Sequence, residues 1–146
     1  MRALIDTNLL IANLLSPTPA TSSTGVVFQS ALEGRFTLLF TDGVSDELDR
    51  KLIEDAVLAQ RIPRADADEL IAILTTVAEL IPRLPELYPE IGRDRKDDFL
   101  IAHGIVSGAD YLVSWDKDLL DLKEIDGMRI VSPPEFLRIL REAGLL

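Results

Sequence analysis

At 146 residues with 47 % apolar composition, the chain is long enough to fold as one domain with a real core, here expected over 1–146. It has no cysteine and one histidine, His103, which excludes disulfides, thiolate sites, cysteine nucleophiles and multi-histidine zinc centres, so any metal should be a hard ion held by oxygen. A net charge of −10 argues against a broad phosphate-binding face, yet it suits a centre that gathers carboxylates around a cation, or a basic protein partner.

Residues 2–6 form a short apolar run that ends at Asp6 and is expected to be a buried strand. Thr7 or Asn8 can cap a helix over Leu9–Leu15, which Pro17 and Pro19 stop. A second helix should start at Ser22 or Ser23 and end at Gly34, with Val26, Val27, Ser30 and Ala31 on one face. Residues 36–40 read as a strand, dense in aromatic and aliphatic side chains. After the turn at 41–43, one long helix is expected over 44–58 and another over 66–76, followed by a short strand at 77–81 and a loop at 82–96. Then come a helix at 97–107 with Gly108 beyond its end, a strand at 110–114, a turn at 115–119 and a last strand at 128–131. The final helix begins at Ser132 with prolines in its first turn, where a missing N–H costs nothing.

This alternation predicts an α/β layer fold with a mostly parallel sheet. Ligands in such folds bind beyond the carboxyl ends of the strands, where the strand order reverses. Asp6 falls at one such end and Asp116 just past another, while Glu47 and Asp98 fall in the first turns of helices that start at the same edge. Each acid also has a structural use. Asp6 could cap the next helix, Glu47 could serve a helix dipole, Asp97 or Asp98 could be an N-cap, and Asp116 and Asp118 could flank Lys117 in a solvated turn. Together they make a stronger case. Carboxylates crowded at one rim repel one another, and the sequence supplies too few nearby Lys and Arg to pair them all. Mg²⁺ or Mn²⁺ is the economical counter-charge, and it would activate water toward a phosphodiester.

Asp6, Glu47, Asp98 and Asp116 are therefore the candidate catalytic and metal-binding acids, with Asp97 and Asp118 as further candidate ligands. Thr7, Asn8 and Ser114 could hydrogen-bond a ligating carboxylate or its water. Arg93, Arg95, Lys96 and Lys117 could contact phosphates. Trp115 could stack on a base but is better read as a half-buried cover over the rim. His103, five residues after Asp98, should be a packed or surface histidine facing elsewhere. A phosphatase with Asp-x-Asp after its first strand is disfavoured by Asn8, and no Gly-x-Gly-x-x-Gly follows that strand to suggest a dinucleotide site. Asp6 also interrupts any secretory signal, and no apolar stretch approaches about 18 residues, so a cytoplasmic protein without a membrane span is expected.

Five segments carry a family resemblance: ALIDTNLLIA at 3–12, TDGVSDEL at 41–48, DRKDDFLIA at 94–102, GADYLVSWDKDLL at 108–120 and IVSPPEFL at 130–137. In this order the chain resembles a PIN domain, the PilT N-terminal-like nuclease fold, and within it the toxin components of toxin–antitoxin systems. The resemblance implies a three-layer α/β/α sandwich with about five strands. It implies Asp6, Glu47, Asp98 and Asp116 as the four family acids, with Asp118 as an accessory. The subgroup usually has a proline and a longer acidic run where this chain has Arg95 and Lys96, which leaves Asp97 as the rival of Asp98. The implied activity is hydrolysis of single-stranded or structured RNA by a water activated on Mg²⁺ or Mn²⁺. The implied partners are an antitoxin protein and a second copy of the chain, through helices 22–32 and 44–58. The alternative is a catalytically silent RNA- or protein-binding module of the same fold.

Overall fold

The computed structural model describes residues 1–16, 20–84 and 95–146, with the side chains of 95–97 left out. Its elements are β1 (Arg2–Ile5), α1 (Thr7–Leu15), α2 (Ser23–Leu32), β2 (Thr37–Phe40), α3 (Asp42–Glu54), α4 (Ala56–Arg61), α5 (Arg64–Val77), β3 (Glu79–Leu80), α6 (Arg95–Val106), β4 (Tyr111–Val113), α7 (Lys117–Leu120), β5 (Glu124–Ile125), β6 (Met128–Val131) and α8 (Pro133–Glu142). They build a three-layer α/β/α sandwich around a six-stranded sheet of order β3-β2-β1-β4-β6-β5, parallel except for β5.

The layers follow from the order of the strands. From β1 the chain steps outward to β2 and then β3, and right-handed crossovers put the connecting helices on one face. It then returns across the sheet to β4, which puts α6 on the other face. Accordingly α1 packs on α2 and α3, and α2 on α5 and α8, whereas α6 packs on β1 and β4. Covered on both faces, β1 needs apolar side chains at consecutive positions, and Ala3, Leu4 and Ile5 are all buried. The step from β1 to β2 goes one way and β4 lies on the other side, so the order reverses between β1 and β4. That is where a crevice at the carboxyl ends opens.

Several boundaries differ from the sequence-based expectation. Asp6, rather than Thr7 or Asn8, is the N-cap of α1. The helix expected over 44–58 is two helices: α3 starts earlier, at Asp42, and the chain breaks at Asp55, whose carboxylate accepts the N–H groups of Val57 and Leu58 and caps α4. Helix α5 runs through Val77, which leaves only Glu79–Leu80 as strand. Helix α6 starts at Arg95, inside the expected loop. The expected turn after β4 winds into α7, capped by Asp116. A strand not foreseen, β5, pairs with β6 across Asp126 and Gly127, both with positive φ (49° and 85°), the signature of a tight hairpin turn.

Candidate functional site

The centre of the rim is a consequence of strand register. Ile5 pairs with Val113, and the ladder runs one step further through the Asp6 N–H to the Val113 carbonyl at 3.1 Å. Ser114 is held in turn by its N–H to the Val131 carbonyl at 3.0 Å. Asp6 and Ser114 thus stand side by side at the carboxyl ends of β1 and β4, and both are fully buried. The Ser114 hydroxyl donates to Asp6 Oδ2 at 2.8 Å and accepts the Asp116 N–H at 2.9 Å. Asp6 Oδ1 accepts the Asn8 N–H at 3.3 Å, and Asp116 Oδ1 accepts the Asp118 N–H at 2.9 Å. One hydroxyl therefore ties the buried carboxylate of Asp6 to the backbone that presents Asp116, across 108 residues of sequence.

Glu47 enters from α3. Because α3 starts at Asp42, Glu47 sits in its second turn rather than its first. The Thr7 hydroxyl donates to Glu47 Oε2 at 3.0 Å, so α1 and α3 are tied together through the acid. Lys51 Nζ and an Arg50 Nη lie 3.8 Å from Glu47 Oε1, and Lys51 Nζ also donates to Asn8 Oδ1 at 2.6 Å. Glu47 thus has two cations nearby, placed three and four residues along its own helix, where side chains share a face. Lys51 was not singled out in the sequence, although its spacing from Glu47 was the available signal. Thr41, at the end of β2, buries its hydroxyl with no hydrogen-bond partner among the described residues.

Asp98 is buried in the first turn of α6. The next side chain, Phe99, lies over Gly43 so closely that a Cβ there would sit 1.9 Å from its Cζ. This contact docks the start of α6 on the start of α3 and brings the helices of Asp98 and Glu47 together. His103 is buried further along α6, as expected of a packed histidine. Its ring lies 4.0 Å from that of Phe99, its Nδ1–H donates to the Phe99 carbonyl at 2.8 Å, and its Nε2 accepts the Leu84 N–H at 3.0 Å. Burial holds its pKa below the ordinary 6.5, aided by the positive charge of Arg83 and opposed by the Phe99 carbonyl. Lys117 is exposed on the first turn of α7, beside Asp118. Arg93 and the side chains of Arg95, Lys96 and Asp97 lie outside the described residues.

The structure thus ties Asp6 through Ser114 to the backbone of Asp116, and ties Glu47 to Thr7 and Lys51. Among the described residues, no three His, Cys, Asp or Glu side chains gather closely enough to form a metal cluster. The donors present are all oxygens and therefore fit a hard cation, and Mg²⁺ commonly uses only one or two carboxylates while keeping most of its waters. No helix among the described residues is long and apolar enough to cross a membrane.

In overall shape the chain is similar to one in the crystal structure of VapBC2 from Rickettsia felis bound to a DNA fragment from their promoter. The TM-score is 0.59 and the identity 16 %, over 90 % of this chain and 98 % of that one. No curated protein matches the sequence. Residues 2–118 match the family model of the PIN domain, a span that begins at β1 and reaches past Asp116 into α7, and the chain belongs to the PIN-domain family.

Proposed function

We propose that this chain is a metal-dependent ribonuclease and the toxin of a toxin–antitoxin pair. The observation that carries the reading is the buried Asp6 carboxylate at the β1–β4 switch point, hydrogen-bonded to the residue that also positions Asp116. A carboxylate kept fully out of water is costly, and an all-oxygen rim of this kind suits a hard divalent cation. Sharing such a cation with Asp116 would lower that cost. Asp6, Asp98 and Asp116 would hold Mg²⁺ or Mn²⁺, with Glu47, Asp97 and Asp118 as further ligands. When bound, the ion supplies a Lewis acid at the scissile phosphate and makes water acidic enough to attack near neutral pH.

The chain's own groups do the remaining work. Ser114 fixes the rotamer of Asp6 and the approach of Asp116, and second-shell bonds of this kind set ligand geometry. Thr7 orients Glu47, while Lys51 offsets its charge. Arg93, Arg95, Lys96 and Lys117 would position the phosphodiester backbone. An antitoxin that covers the rim should be basic, given the net charge of −10. Ile53 on α3 and Val57 on α4, both exposed, offer apolar surface to a second copy.

The test is cleavage of a labelled single-stranded RNA with Mn²⁺ or Mg²⁺. The wild type should cut it, and chelation should stop the reaction. Asp6→Asn and Asp116→Asn should abolish cleavage with the fold intact, and Asp97→Asn beside Asp98→Asn should show which of the two is a ligand. Unchanged Mn²⁺-dependent cleavage by Asp6→Asn rejects the assignment. A silent module that binds RNA or protein is the second reading, favoured by the lack of a three-acid cluster among the described residues. RNA binding without turnover, indifferent to Mn²⁺, would support it.

A further inference from the structure

Trp115, the only tryptophan of the chain, stands between Ser114 and Asp116 at the centre of the rim. Its setting inverts the usual arrangement of a surface tryptophan, which buries the apolar body and turns the N–H outward. Here the indole Nε1–H donates to the buried Thr24 hydroxyl on α2 at 3.0 Å, while the residue is 47 % exposed. The sole polar atom of the ring is consumed inside the protein, so what remains in solvent is hydrocarbon π surface held at a fixed angle. The residue is half-buried, as the sequence-based expectation has it, but the half left in solvent is apolar ring. Among the large exposed apolar side chains of the described residues, Trp115 is the one aromatic. Two residues on, Lys117 is exposed and makes no salt bridge with any described residue.

We infer that Trp115 is a stacking platform for an unpaired base of single-stranded RNA, with Lys117 meeting the adjoining phosphate. The inference rests on the ribonuclease reading and adds a residue that binds the substrate. A base within a duplex has both faces covered by its neighbours and cannot use the platform, so the substrate must be unpaired at that position. Stacking also suits the charge of this protein. A chain at −10 gains little from a phosphate backbone, whereas base–aromatic stacking is indifferent to sequence and opposed by no charge. The Thr24 bond fixes the ring before RNA arrives, so little side-chain entropy is lost when a base docks.

A single tryptophan makes the experiment direct. Intrinsic fluorescence of the wild-type protein is titrated in EDTA with an unstructured 2′-O-methyl oligoribonucleotide, and with the same sequence as a duplex. The single strand should quench the emission saturably, and the duplex should leave it unchanged. In the Mn²⁺ cleavage assay Trp115→Leu should raise KM by about 5- to 150-fold, the loss expected for one stacked base, and Trp115→Phe should recover much of it. Thr24→Val should weaken quenching by freeing the ring. Lys117→Ala should flatten the salt dependence of binding by about 0.7 in log–log slope. Emission unmoved by saturating single strand overturns the platform, as does equal quenching by duplex, or a KM unaffected by Trp115→Leu. Quenching without any cleavage keeps the platform and sinks the nuclease. Cleavage that depends on Asp6, without quenching, does the reverse.

Discussion

The hydroxyl of Ser114 is the smallest group whose removal tests the site as built. Ser114→Ala deletes one oxygen from a fully buried position and leaves the β4–β6 ladder bond of its N–H in place. Two interactions go with it: the 2.8 Å bond to Asp6 Oδ2 and the 2.9 Å bond from the Asp116 N–H. A hydrogen bond to an ionised group contributes about 1.5–3 kcal/mol, and a partly buried N–H left without its acceptor adds up to about 1 kcal/mol. The expected loss is therefore about 2–4 kcal/mol in metal-free buffer, a large share of a domain's roughly 5–15 kcal/mol. Urea denaturation should show it as a lower midpoint at constant slope, because the surface exposed on unfolding hardly changes. The argument makes a second demand. A bond to a neutral amide is about half as strong as one to a carboxylate, so in an Asp6→Asn background the same substitution should cost roughly 1 kcal/mol less. A penalty below about 0.5 kcal/mol in the wild type, or an equal penalty in both backgrounds, would refute the claim that this hydroxyl stabilises the buried charge.

Gly43→Ala separates two effects of opposite sign. In a helix alanine is favoured over glycine by up to about 1 kcal/mol, but here its Cβ would fall 1.9 Å from Phe99 Cζ, so a net loss of about 1–3 kcal/mol and slower cleavage are expected, measured by urea midpoint and turnover. His103 ties stability to pH. Its folded pKa lies below 6.5, so its contribution is complete above that value and disappears as pH falls through the folded pKa. The stability gap between wild type and His103→Gln should accordingly be constant from pH 8 to 7 and shrink in acid, in denaturation curves taken at each pH. A gap that widens in acid would contradict the neutral ring with Nδ1–H bonded to Phe99. Lys51→Met leaves the Glu47 carboxylate less compensated, so the metal-free protein should melt lower and gain more from added Mg²⁺ than the wild type does, as thermal unfolding with and without the ion would show.

What the sequence made legible is what short-range chemistry governs. Ala3, Leu4 and Ile5, consecutive, apolar and too few for a helix before Asp6, suit a strand covered on both faces, which places Asp6 at its carboxyl end. Asp126-Gly127 carries a hairpin signal, but a strand of only two residues, β5, is too short to show alternation in the sequence. The break at Asp55 was harder to see, since residues 51–61 carry helix formers on both sides and nothing local forbids continuation. It forms because the Asp55 carboxylate takes two N–H groups that a continuous helix would have satisfied itself. Phe36 was assigned to a strand on its aromatic character, whereas the ladder begins with the Thr37 N–H on the Met1 carbonyl and Phe36 packs edge-on against Phe136 instead.

The contacts of the site belong to a different class of information. Which acids lie near the rim follows from element order, but which side chain touches which depends on register between strands distant in sequence. Ser114 meets Asp6 only because Ile5 is opposite Val113. Because side chains alternate with a period of two, a slip of one residue would turn Ser114 to the other face and away from Asp6. The buried apolar runs of β1 and β4 are what make that slip expensive, since Leu112 and Val113 would have to exchange faces and repack against both helical layers. The carboxylate geometry is therefore secured by the hydrophobic packing of the neighbouring strand residues as well as by the polar residues themselves. It follows that a core substitution such as Leu112→Ala, costing about 2–5 kcal/mol in stability, should loosen the site without touching a single acid.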